Sequence, residues 1–206
     1  MINNGESKMR SKDIAIVGIC LAAGAILRFV ANMFPGAIVG NPVIALYCLA
    51  LILVRPALKE AFGIGVVAAV VSMLISHSIF PPANLISEPL GAVVCVVIFA
   101  LLAGKKDKSR EPTKLAPVAP AITTFITTLV SGFSFIFICM GVMFASVIAV
   151  PTGTMAGFFA AVAPIVIITA AFNCIVTQIL YIPAKRITAL SGIDMRADTG
   201  KQQNSQ

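Results

Sequence analysis

Long apolar runs broken by short polar or Pro/Gly-rich stretches occupy almost the whole chain, and they set the expected elements. Asp13 to Met33 (DIAIVGICLAAGAILRFVANM) opens the series. At about 1.5 Å rise per residue a run of this length crosses a hydrocarbon core of roughly 30 Å. The pattern predicts an all-α, polytopic integral membrane protein with six spans over 13–33, 42–55, 58–77, 89–103, 121–144 and 157–182. Together they form one membrane domain, 13–186, between polar tails 1–12 and 187–206, with a charged loop at 104–120. The second span is short and ends at Arg55 and Pro56. The connection IFPPANLISEP has adjacent prolines and reads as a loop, so the fourth helix is expected to start at Pro89, with proline in its first turn. Pro164 should kink the sixth.

Composition agrees with the pattern: 59% hydrophobic and 11% charged residues exclude a soluble domain. The net charge of +7 would suggest nucleic acid in a soluble protein, but here its distribution reports topology, so no nucleic-acid partner is expected. Of the 15 Lys and Arg residues, all except Arg28 fall in segments that the six-span reading places on one side, including the loop KKDKSREPTK. By the positive-inside rule both termini are cytoplasmic. The first run is too long for a signal-peptide core of about 7 to 15 residues and is expected to remain in the mature protein. Five cysteines lie apart inside apolar runs, without a CxxC pair and with one histidine in the chain, so they read as core residues and not as metal ligands or disulfides. There is no HExxH, GxSxG or Walker A loop, which argues against an enzyme or a self-powered pump and implies no cofactor. No internal repeat aligns the two halves.

Two charges stand outside the cytoplasmic set: Arg28, near the outer end of the first span, and Glu88, at the outer start of the fourth. A guanidinium inside a membrane helix costs at least about 2.5 kcal/mol unless it is paired or hydrated. Arg28 and Glu88 either form a structural ion pair or hold the charged ends of a small ligand, a fork-shaped guanidinium being suited to a carboxylate. Asn32, Asn41, His77, Asn84 and Ser87 belong to the same outer end, and this gathering of polar groups suggests a pocket open to the outside. Tyr47, Phe133, Phe135 and Phe137 could wall a ring-shaped substrate or simply pack. The hydroxyl-rich fifth helix (Thr123, Thr124, Thr127, Thr128, Ser131, Ser134), with Asn173 and Gln178 on the sixth, reads by default as helix packing. Ala15, Gly18, Ala22 and Ala25 follow at steps of three and four, a small-residue face that lets another helix approach closely in lipid.

Taken together, PANLISEP (Pro82 to Pro89), LVSG (Leu129 to Gly132) and Asn173 through Tyr181 to Pro183 resemble the tryptophan-transport family of S-components, the substrate-binding membrane subunits of energy-coupling factor (ECF) transporters. The resemblance implies a six-helix bundle in a bacterial cell membrane that captures a micronutrient from outside. It also implies partners: a membrane coupling subunit, which would dock on Ala15, Gly18, Ala22 and Ala25, and two cytoplasmic ATPase subunits. Substrate contacts would come from the outer helix ends, including Asn84 to Glu88. Two positions depart from the family's pattern. Glu88 stands where a lysine is expected before the proline, and Gly40, Asn41 and Pro42 replace a basic start to the second helix. Tryptophan and a vitamin or nucleobase-like precursor are therefore both expected cargoes. A self-sufficient secondary carrier, with a site near the midplane reachable from both sides, is the rival transport reading. A non-transporting scaffold is the third.

Overall fold

The computed structural model describes residues 9–33, 41–75, 78–103, 115–146 and 148–203, with side chains as far as Thr188. Among these residues there are six α-helices and no strand: α1 Ser11–Ala31, α2 Pro42–Val54, α3 Leu58–Ile75, α4 Asn84–Ala103, α5 Ala119–Phe144 and α6 Met155–Gln203. A 3₁₀ turn, Pro81–Ala83, leads into α4. Five helices are long and apolar enough to cross a membrane: Ser11–Ala31, Leu58–Ile75, Pro81–Ala103, Ala119–Phe144 and Met155–Thr188. Their outward faces carry large apolar side chains such as Ile19, Leu74, Leu101, Phe144 and Ile179, a surface suited to lipid and not to water. The chain is a multi-pass membrane protein.

The sixth helix in this count is the short one, and it organises the bundle. α2 has 13 residues, about 20 Å of helix. Its sequence, PVIALYCLALILV, is apolar all the way round, which suits a helix enclosed on every side. Twelve of its residues are buried, and it touches α1, α3, α4, α5 and α6. By contrast α1 is peripheral and buries Val17, Leu21 and Gly24 alone. Gly24 sets its distance from α2: a methyl group there would stand 3.0 Å from the Val43 Cα.

Two elements depart from the sequence-based boundaries, α4 at its start and α6 at its end. α4 begins at Asn84, not Pro89, because the Pro81–Ala83 turn already supplies helical backbone and the Asn84 side-chain amide donates to the Pro81 carbonyl at 2.7 Å. Pro89 therefore lies inside the helix, and Asn84, Ser87 and Glu88 become helix residues. α6 continues to Gln203, well past Ile182, so much of the expected tail is helical. α3 is described to Ile75, and His77 lies outside the described residues.

The α2–α3 junction is tightly made. Arg55 ends α2 in the left-handed region (φ 51°), its N–H bonds the Leu51 carbonyl at 2.8 Å, and its guanidinium lies 4.8 Å from the Phe99 ring centre. The Glu60 carboxylate then accepts from the Ala57 N–H (2.9 Å) and the Met9 N–H (3.0 Å), tying the start of α3 to the segment before α1. Gly65 holds α3 against α4. A methyl group there would lie 2.6 Å from the Pro89 Cα and 2.8 Å from the Ala92 Cβ, so the two backbones are nearly in contact one residue from Glu88.

Candidate functional site

A polar cluster lies inside the bundle where α2 begins. Its centre is Glu88, 1% exposed, one turn into α4. The Asn41 side-chain NH₂ donates to Glu88 Oε1 at 2.6 Å, and the Ser131 hydroxyl of α5 donates to Oε2 at 3.4 Å. The Tyr47 hydroxyl also faces Glu88, but it completes no hydrogen bond. Arg28 acts on the same carboxyl through its charge. Such burial is tolerable because a carboxyl with fixed donors and a nearby cation keeps much of the stabilisation that water would provide.

Local sequence explains how these groups meet. Asn41 immediately precedes Pro42, whose ring suits the first helical position and so fixes the start of α2 beside Asn41. Gly91, about one turn beyond Glu88, leaves the room that the Tyr47 hydroxyl fills: a methyl group there would stand 2.7 Å from that oxygen and 3.1 Å from the Ser131 Cβ. From α6, the Asn173 side-chain NH₂ donates to the Asn41 backbone carbonyl at 3.1 Å and to the Thr128 hydroxyl at 3.3 Å. One turn further on, the Thr177 hydroxyl donates to the Ala45 carbonyl at 3.1 Å. Asn173 and Thr177 thus bond carbonyls at the N-terminal end of α2, four residues apart on each helix.

The cluster extends along α5 as a stripe of buried hydroxyls, Thr123, Thr124, Thr127, Thr128 and Ser131. Cys48 lies beside Thr124, Thr127 and Cys95. Five polar atoms are left without a hydrogen-bond partner among the described residues of α5 and the α2–α6 junction: the Thr123, Thr124 and Thr127 hydroxyls, and the Oδ1 atoms of Asn41 and Asn173. Buried polar groups are nearly always satisfied, so this concentration stands out from the apolar packing around it.

The structure distributes the sequence-derived candidates unevenly. Glu88, Asn41 and Tyr47 come together, with Arg28 near enough to act on Glu88. Ser87 is buried beside them in sequence on α4. Asn32 is instead bonded to the Ile75 carbonyl at the end of α3, 2.7 Å away, and Asn84 to Pro81, so both side chains hold helix ends. Phe133 and Phe137 contact Phe159 of α6 with ring centres 6.2 and 6.4 Å away, outside the polar cluster. On α1, Ala15, Gly18 and Ala22 are exposed and Ala25 is half-buried; nothing lies within 4 Å of a methyl group placed at Gly18. Gln178 closes the start of α5, accepting from the Ala121 N–H at 3.2 Å and donating to the Pro117 carbonyl at 3.0 Å.

Thr128 and Asn173 bond each other across helices, as the packing reading expects, and with Ser131 they also belong to the cluster around Glu88. Their signal was the spacing. Thr124, Thr127, Thr128 and Ser131 repeat at three, four and seven, a polar stripe in an apolar helix, and in lipid such a stripe must turn inward.

Comparison with known proteins accords with this architecture. The family model described as "Tryptophan transporter TrpP" matches residues 10–188, from the segment before α1 to the apolar part of α6. A protein of Bacillus subtilis (strain 168) described as "Probable tryptophan transport protein" is 27% identical over 176 residues, covering 84% of this chain and 90% of the relative. No solved structure matches the chain. With most of its length matched, including every residue of the Glu88 cluster, the chain belongs to the tryptophan transporter family TrpP.

Proposed function

We propose that this protein is the substrate-binding S-component of an ECF-type importer and that its cargo is tryptophan. The observation that carries the reading is the buried cluster around Glu88, with Arg28 acting on it, in the interior of a bundle from a tryptophan transporter family. An intramembrane carboxyl and guanidinium are expensive, and by default such groups mark a substrate path. A zwitterionic amino acid carries the complementary pair of charges, and Arg28 suits its carboxylate. The departures at Asn41 and Glu88 then adapt the site, and the tryptophan reading is favoured over a vitamin or nucleobase-like precursor.

In this reading α2 acts as a sixth, incomplete span, both termini are cytoplasmic, and the site opens to the outside. The exposed face of Ala15, Gly18 and Ala22, with Ala25 at its edge, serves the membrane coupling subunit. Two cytoplasmic ATPase subunits supply the energy. An outward small-residue face on a peripheral helix supports this division, because in lipid close packing must replace the missing hydrophobic gain.

Calorimetry on the detergent-purified protein tests the first half. L-tryptophan should bind without any partner, and Arg28→Ala should weaken it. Ala22→Phe tests the second half: binding should persist while uptake with the coupling and ATPase subunits is lost. Ion-gradient-driven uptake of tryptophan by this protein alone in liposomes would replace the S-component reading with that of a secondary carrier. Absence of binding to tryptophan and to a panel of vitamins and nucleobases would leave a scaffold.

A further inference from the structure

Which end of the substrate the Glu88 cluster holds can be argued from hydrogen-bond chemistry, on the premise that tryptophan is the ligand. An amide side chain has two donors on nitrogen and an acceptor on oxygen, and its orientation follows from what faces it. Asn173 turns its NH₂ to the Asn41 backbone carbonyl, a group that can only accept, and to Thr128. Its Oδ1 must then face the other way, and it is buried without a partner. Asn41 turns its NH₂ to the Glu88 carboxyl, leaving its own Oδ1 buried without a partner as well. Glu88 itself accepts one short bond and one long one, fewer than its two oxygens can take. The leftover capacity of the two asparagines and Glu88 is therefore acceptor capacity, amide oxygens and carboxylate oxygen, beside the Tyr47 hydroxyl, which can donate as well as accept.

We propose that Asn41 and Asn173, together with Glu88, form a subsite for the ammonium group of the substrate, so that Asn173 is a specificity-determining residue. An ammonium brings three N–H donors and a positive charge, matching two amide oxygens and a carboxylate in number and sign. The substrate's carboxylate would be left for Arg28. Asn41 is the half-buried member and lies at the start of α2, whereas Asn173 is fully buried. Asn41 thus stands toward the approach and Asn173 at the closed side. The subsite makes the free amino group a condition of binding, because a ligand without it would leave the same acceptors buried and unpaired.

The test compares L-tryptophan with indole-3-propionate, which keeps the ring and the carboxylate and lacks the amino group, by calorimetry on the full-length purified protein. Indole-3-propionate should bind about 100-fold more weakly or worse, as for a site built to hydrogen-bond a group the ligand lacks. Tryptamine, which keeps the ammonium and lacks the carboxylate, should compete measurably. Asn173→Ala should weaken tryptophan much more than indole-3-propionate and so narrow the gap, whereas a merely structural role for Asn173 would weaken both alike. Equal affinities for tryptophan and indole-3-propionate overturn the subsite while leaving the transport reading intact. An unchanged gap in folded Asn173→Ala also overturns it. Should that variant fail to fold, the wild-type comparison decides alone. No binding of tryptophan overturns both readings.

Discussion

The fit between Gly91 and Tyr47 gives the sharpest quantitative expectation. In Gly91→Ala the new methyl group would stand 2.7 Å from the Tyr47 hydroxyl oxygen, closer than real side chains approach, and 3.1 Å from the Ser131 Cβ. Tyr47 is wholly buried and cannot swing into open space, so overpacking should cost about 1–3 kcal/mol. Alanine in a helix interior gains about 1 kcal/mol over glycine, so the single variant is expected to lose only about 0–2 kcal/mol, too small a net effect to be decisive. The second mutation separates the terms. Tyr47→Phe removes the colliding oxygen, and since that hydroxyl completes no hydrogen bond its loss should itself be neutral or stabilising by about 1 kcal/mol. In the Tyr47→Phe background Gly91→Ala should become neutral or favourable, giving a coupling of about 1–3 kcal/mol across the cycle. Reversible unfolding of the four proteins in mixed micelles, titrated with a denaturing detergent, measures it. Additivity within about 0.5 kcal/mol would refute the placement of the Tyr47 hydroxyl against Gly91.

Gly65 offers a harsher case, because a methyl group there meets the Pro89 Cα at 2.6 Å, backbone that no rotamer change can move. Gly65→Ala should cost about 3 kcal/mol in the same unfolding assay and also weaken ligand binding, since the Glu88 carbonyl is among its contacts. Gln178→Ala removes both bonds at the start of α5, from the Ala121 N–H and to the Pro117 carbonyl; a loss of about 1–2 kcal/mol is expected, with faster amide exchange in the first turn of α5 and unchanged affinity for ligand.

Helices were legible in the sequence, but their ranks were not. Periodicity and length found the six helices, because an apolar run bounded by Pro, Gly or charge in lipid has few alternatives to a helix, but they missed the start of α4 by five residues and the continuation of α6 to Gln203. Of the small residues on α1, Ala15, Gly18 and Ala22 are exposed and Ala25 is half-buried. α1, with its arginine and small residues, lies at the periphery, whereas the short, uniformly apolar PVIALYCLALILV is the centre. Its lack of a polar face was the available sign of enclosure. The start of α4 was misplaced for another reason: two adjacent prolines suggest a break, but at the head of a helix their fixed φ and missing N–H are tolerated. The partnership of Asn41 with Asn173 spans 132 residues and could not be read from local pattern at all.

The start of α2 beside Glu88 also explains how the carboxyl can be carried there. The first turn of α2, with its unpaired N–H groups and partial positive charge, begins at Pro42, next to the asparagine that bonds Glu88. Asn41, the residue that begins it, delivers its amide to Glu88, and Arg28 adds a full positive charge nearby. Glu88→Gln tests whether that arrangement serves ligand or fold. Glutamine can still accept from Asn41 and is close to the same size, so the unfolding transition should move little. In the proposed ammonium subsite this substitution removes the negative charge and with it one charge-assisted interaction of about 1.5–3 kcal/mol, so tryptophan affinity should fall about 10- to 100-fold. A Glu88→Gln protein that unfolds much more readily yet binds tryptophan like the wild type would reverse the argument and make the carboxylate a structural partner of Arg28 alone.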